Sequence, residues 1–184
     1  MTAAIHHFAR AALFAAALGS IPAGAALAAD GLTIRDLVMS APQPDARSDA
    51  TVRAVRAFYD FWNNGDEAYL KQAISDRFTD HTLPAGRPQG PEGPAFASRA
   101  FRIAVPDLGV TVEKMIVAGD YVTVHMTFTG HFSGRFGDTA GKGQPIHFIA
   151  TDLLKVVDGR ITDNWHIEDN LTLFQQMGLA NAAP

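Results

Sequence analysis

Residues 145–179 read PIHFIATDLLKVVDGRITDNWHIEDNLTLFQQMGL, two apolar runs joined by Asp158-Gly159 and followed by a helical segment. An Asp-Gly pair between such runs marks a two-residue hairpin whose central residues both take positive φ, which sets Val157 opposite Arg160. Counting back along a regular ladder sets Asp152 across from Trp165. Side chains alternate along strands, so one face carries Phe148, Ala150, Asp152, Leu154, Trp165 and Ile167, with Asp163 and Asp169 towards its ends. The other face carries His147, Thr151, Lys155, Thr162, Asn164, His166 and Glu168. The first face is the one that seeks burial, and a carboxylate stands in its middle.

Desolvation disfavours a charged carboxylate, so an Asp pressed against an indole in a poorly solvated cavity gains proton affinity and can exchange protons near neutral pH. Asp152 is therefore the candidate acid/base residue. Two other readings stay open. Asp152 either accepts hydrogen bonds from a buried partner and only fixes the fold, or a bulge shifts the register and turns it to solvent.

Upstream of the hairpin, helices come first and strands follow. Ser48 or Asp49 caps a helix in which Val52, Val55, Tyr59 and Trp62 recur at helical spacing, with Phe58 and Phe61 widening the stripe. Asn63-Asn64-Gly65-Asp66 ends it and starts a second helix over residues 67–74; a third spans residues 94–104 with Phe96, Ala100 and Phe101 inward. Residues 110–118 and 121–132, joined by Gly119-Asp120, form a hairpin whose apolar face is Val122, Val124, Met126 and Phe128. Two hairpins and three helices predict an α+β domain, a mostly antiparallel sheet packed by helices. Residues 133–144, SGRFGDTAGKGQ, read as a long mobile loop; Gly141-Lys142-Gly143 lacks the spacing of a phosphate-binding loop.

The first 28 residues, with Arg10 before an Ala/Leu/Phe run and Ala26-Leu27-Ala28 at the cleavage position, read as a secretory signal peptide. Gly19, Ser20, Pro22 and Gly24 break the apolar run too often for a membrane span. The expected product is a periplasmic or secreted protein with a flexible arm over residues 29–48 and one folded domain over residues 49–184. The chain has no cysteine, which excludes disulfides, a thiol nucleophile and a thiolate metal site. With 15 basic against 19 acidic residues and no basic cluster, nucleic acid is not an expected partner.

Five segments, VRAFYDFWNNGD (55–66), FTDHTLPAG (78–86), GDYVTVHMTFTGHFSG (119–134), TDLLKVVDGRI (151–161) and NWHIEDNLTLFQQMGL (164–179), together resemble the SnoaL-like polyketide cyclases, within the group having the nuclear transport factor 2-like fold. The resemblance implies a curved sheet wrapped by helices into a cone, a cystatin-like α+β barrel with an apolar pocket, and pairing of two copies through the open sheet face, here with Thr151, His166 and Lys155. It implies an acidic residue before the Asp-Gly turn, here Asp152, that takes a proton beside an ester carbonyl so that the enolate closes a ring on a ketone. No metal or organic cofactor is implied.

His81, in the Asp-His match, becomes the candidate acid partner, and Trp165 the apolar wall or N–H donor. Phe148, Phe132, Tyr59 and Trp62 are the candidate pocket lining. Asp169 is a candidate pocket carboxylate, with helix capping as the preferred reading. The family's Gly-x-His-x-Gly histidine is replaced by Phe132 in GHFSG, and His131, one position earlier, faces the other side of a regular strand. His125, His147 and His166 fall on the polar face, where solvent or a subunit interface is expected. The expected ligand is a small apolar carbonyl compound. Isomerase or dehydratase chemistry, or lipophilic binding without turnover, would use the same pocket.

Overall fold

The computed structural model describes residues 31–40 and 45–181, so the expected signal segment lies outside the described residues. In chain order the elements are β1 (Thr33–Ile34), β2 (Leu37–Met39), α1 (Ala46–Asn64), α2 (Glu67–Ala73), β3 (Ile74–Asp80), α3 (Glu92–Ala104), β4 (Gly109–Ala118), β5 (Tyr121–Phe132), β6 (Arg135–Phe136), β7 (Thr139–Ala140), β8 (Gln144–Val157), β9 (Arg160–Glu168) and α4 (Asn170–Met177). The main sheet runs β1-β4-β5-β8-β9-β3, with β2 also on β4. The β4-β5-β8-β9 centre is antiparallel, whereas β1 and β2 lie parallel to β4 and β3 parallel to β9. β3 does not pair with β1, so the expected barrel is instead an open, curved α+β sheet.

Helix α1 starts three residues earlier than its periodicity implies. Asp45 is the cap: its carboxylate accepts from the Ser48 amide at 2.7 Å, and the Ser48 hydroxyl accepts from the Asp45 amide at 2.8 Å. That reciprocal pair satisfies two amides that a helix start leaves unpaired. Gly65, at φ 81°, ends the helix in the left-handed conformation that glycine adopts without a Cβ clash, and Asp66 then caps α2. α1 packs across β4, β8 and β9 and buries Val55, Phe58, Tyr59 and Phe61.

The expected tether at residues 29–48 contains β1 and β2 instead. Leu32 and Ile34 are buried, and the two short strands satisfy hydrogen-bonding groups on the outer edge of β4. Part of the expected mobile loop at residues 133–144 is also ordered, as the small hairpin β6-β7. Its Phe136 ring lies 6.0 Å from that of Phe174 on α4.

The β8-β9 hairpin turns at Asp158 and Gly159, with φ values of 50° and 70°, and Val157 faces Arg160. Along β8, Ile146, Phe148, Ala150, Asp152, Leu154 and Val156 are buried in strict alternation. The register then departs from a regular ladder: Val156 pairs Ile161 but Lys155 pairs Asp163, so Thr162 is an extra residue in β9. One inserted residue reverses every later side chain of that strand. Asp152 consequently faces His166, and Trp165 pairs with Leu153 on the outer face. The expectation that Asp152 and Trp165 share a buried face is thus overturned; Ile167, expected inside, is 76% exposed.

Candidate active site

A cavity of about 380 Å³ opens between α1, α3 and the sheet. Its walls are aromatic: Phe128 and Phe148 stack at 5.1 Å, and Trp62 and Phe101 meet them edge-on at 6.1 and 6.2 Å. Phe96 and Phe136, each substantially exposed, also line it, with Phe58 and Phe78 buried behind. The polar groups converge from β3, β8 and β9: Asp80, Asp152, Asn164, His166 and Glu168, with Tyr59 from α1 and Arg87 from the loop before α3.

Asp152 is 7% exposed and accepts one hydrogen bond, from the Tyr59 hydroxyl to Oδ2 at 2.7 Å. Burial pushes its carboxyl up to about 7, against the lowering effects of the Tyr59 hydrogen bond and of His166. Burial, with the neighbouring carboxylate, also pushes the Tyr59 phenol well above its usual range, so Tyr59 keeps its proton and donates it. The phenylalanine variant Tyr59→Phe is expected to raise the Asp152 pKa further, a shift that carbon-detected NMR titration reads directly.

His166 sits between two carboxylates. Its Nδ1 lies 2.7 Å from Glu168 Oε1, and its Nε2 lies 3.1 Å from both oxygens of Asp80. Burial works against a charged ring, but the hydrogen bond and charge of Glu168, then those of Asp80, outweigh it and lift His166 to about 9. At neutral pH the ring is therefore an imidazolium with both N–H groups engaged. Glu168, which burial alone would raise, is held below its usual range by the same contact. Asp80 is pinned by Gln89, whose side chain bonds both its amide and its carbonyl at 2.9 and 2.8 Å, and it accepts from the Thr82 amide at 2.9 Å. Arg87 Nη1 lies 3.6 Å from Asp80 Oδ2. Both ring nitrogens being taken by carboxylates, this cluster is an ion-pair network; among the described residues no group of three such side chains is placed to hold a metal.

Of the residues singled out in the sequence, Asp152, Tyr59, Trp62 and Phe148 meet in this cavity. His81 does not. It stacks flat on Trp165 at 4.2 Å, and its Nε2 lies 2.7 Å from Asp163 Oδ1, on the outer face of the sheet. The Thr162 insertion turns Trp165 outward, and His81 is the residue after Asp80, whose own side chain lines the cavity. Replacing Trp165 by Leu is accordingly expected to leave the Asp152 titration unchanged. Phe132 is buried outside the cavity, and Asp169 caps α4, its Oδ1 accepting from the Thr172 amide at 3.1 Å. His131 is exposed and bonded to Asp107. Asn164, His166 and Glu168 escape a reading by alternation because polar residues at alternate positions normally mark the solvent face, and Asp80 enters the sequence reading only as the neighbour of His81 in the Asp-His match.

The open curved sheet with helices over one face is the ketosteroid isomerase-like fold: a protein of that fold from Catenulispora acidiphila, crystallised with trimethylamine, matches at a TM-score of 0.56 and 22% identity over 71% of this chain and 95% of its own. Within that class the chain belongs to the SnoaL-like polyketide cyclase family, whose model matches residues 52–177. A candidate polyketide cyclase from Bacillus cereus is 39% identical, with a TM-score of 0.74 over 83% of this chain and 96% of its own. IdmH from Streptomyces antibioticus, also a candidate polyketide cyclase, is 27% identical, with a TM-score of 0.63 over 73% of this chain and 99% of its own. Comparison with curated proteins finds no match.

Proposed function

We propose that this protein is an exported, cofactor-independent enzyme that moves a proton between Asp152 and the carbon next to a ketone or ester carbonyl in an apolar substrate. The observation that carries the reading is a carboxylate poised near neutrality at the polar end of an aromatic cavity, with one oxygen held by Tyr59. Oδ2 accepts the Tyr59 hydroxyl, and Oδ1 has no protein partner among the described residues, which leaves it to accept the substrate proton. The electron pair of the broken C–H bond passes into the enolate. In a ring closure that carbon then bonds to a ketone carbon of the same molecule, and the ketone oxygen takes the proton back from Asp152. In an isomerisation the proton returns to a different carbon.

The clamped imidazolium of His166 supplies positive potential beside the developing enolate without giving up a proton. Its charge also offsets the carboxylates of Asp80 and Glu168, so the cavity suits a neutral substrate. The assay uses 2-tetralone, a bicyclic ketone with an acidic CH2 group, together with ester-bearing analogues. Purified protein in heavy water is expected to accelerate deuterium entry at the carbon beside the carbonyl, followed by mass spectrometry. Saturable binding of these compounds without exchange would instead identify a binding protein. Export is checked separately: the periplasmic form should begin at Ala29.

A further inference from the structure

Proton abstraction beside a carbonyl needs a second group, a donor that meets the oxygen on which charge develops. The donors that line the cavity are nearly all engaged. Tyr59 donates to Asp152, and His166 has Glu168 and Asp80 on its two nitrogens. Arg87 faces Asp80, and Asn170 is exposed at the start of α4.

Two remain: the Trp62 indole on α1, which meets Phe128 edge-on, and, beside Asp152 on the sheet, Asn164. Asn164 is 6% exposed and lines the cavity, yet neither end of its side-chain amide has a hydrogen-bond partner among the described residues. Its Oδ1 is fully enclosed, which leaves the amide nitrogen as the end open to the cavity. A buried amide without partners weakens a fold, and an apolar side chain of similar size would serve packing better. Its position also fits: Asn164 pairs with Leu154 and Asp152 with His166, so Asn164 is the diagonal cross-strand neighbour of Asp152 on the cavity face, about 7–8 Å away between Cα atoms. That spacing lets one substrate touch both side chains. An uncharged donor, moreover, leaves the basicity of Asp152 intact, which a cation at the same place would lower.

We infer that the Asn164 side-chain amide donates to the carbonyl oxygen of the substrate and to the enolate oxygen it becomes, which makes it a catalytic residue. The substrate then lies with that oxygen towards the Asp158-Gly159 turn and its apolar body along Phe128, Phe148 and Phe101. This assignment rests on Asp152 acting as the base in the same cavity.

The test is the ratio of affinities for 2-naphthol, the aromatic counterpart of the 2-tetralone enol, and for naphthalene, which lacks the oxygen. Both are titrated by fluorescence against the wild type and Asn164→Leu. The ratio is expected to fall roughly ten- to a hundredfold in the variant. Its melting temperature should hold or rise, because an unpartnered amide has been removed. An unchanged ratio, a wild type that does not prefer 2-naphthol, or a lower melting temperature with both affinities weakened together would overturn the assignment. Failure of the base reading shows elsewhere: it appears as 2-tetralone exchange that survives Asp152→Asn, whatever the naphthol ratio does.

Discussion

Asp152→Asn is expected to slow deuterium exchange of 2-tetralone by about 10²–10⁴-fold, the usual contribution of a positioned general base, while binding of the ketone survives. Asn keeps the shape of Asp and can still accept from Tyr59, so the loss isolates the proton acceptor. Wild-type exchange should rise with pH through about 7, as Asp152 ionises, and the residual rate of the variant should lack that step.

The same substitution should stabilise the protein at neutral pH. Burial raises the Asp152 carboxyl from 3.8 to about 7 in the fold, so between those values the folded state holds a proton that the unfolded chain releases. The stability associated with this group is therefore present below pH 3.8 and lost as pH rises through about 7. At 1.36 kcal/mol per unit the loss is on the order of 4 kcal/mol. Asn, which never ionises, escapes it. Urea unfolding of both proteins across this range should show curves that converge in acid and separate towards neutrality. A variant that exchanges at the wild-type rate would remove Asp152 from the chemistry.

The second large effect is expected at His166. Replacement by Leu leaves the carboxylates of Asp80 and Glu168 facing each other in a poorly solvated site without the cation between them. Breaking a buried ion pair by removing one partner destabilises proteins by about 3–5 kcal/mol, and a loss of that order is expected here at neutral pH. The pH dependence identifies the cause. His166 is raised in the fold from 6.5 to about 9, so its contribution is complete below 6.5 and lost as pH rises through about 9. Wild-type stability should show that falling limb and His166→Leu should not. The Asp152 carboxyl should also rise further in the variant, since His166 attraction lowers it. Equal stability of the two proteins at pH 7 would mean that desolvation of the three charges cancels their attraction.

What could be read from residues and what could not divides at Thr162. The Asp-Gly turn, the buried alternation of β8 and the apolar face of β5 are local facts: positive φ favours Asp and Gly, and side chains alternate on a pleated strand. They sufficed to single out Asp152 as the buried carboxylate of an α+β sheet protein, and the helical stripe of α1 supplied Tyr59 and Trp62. Which face of β9 looks inward is not local. It depends on whether the ladder absorbs one extra residue, Thr162, and the alternation of β9 taken alone points the other way, with Trp165 and Ile167 inward.

The partners of Asp152 were invisible for that reason. Asn164, His166 and Glu168 form a polar alternation that, taken alone, belongs to solvent; in the fold the Thr162 insertion turns it inward, Asn164 and His166 are buried and Glu168 is half-buried, and Asp80, arriving on β3 from some eighty residues upstream, neutralises His166 from the other side. The sequence by itself determined the two hairpins β4-β5 and β8-β9, the Asp-Gly turn, the first helix and the carboxylate to watch, since each rests on propensity and periodicity within a few residues. Tertiary structure alone decided the inward face of β9, the strand role of residues 33–39 and the open sheet edge, because pairing register and charge compensation are set between segments distant in the chain.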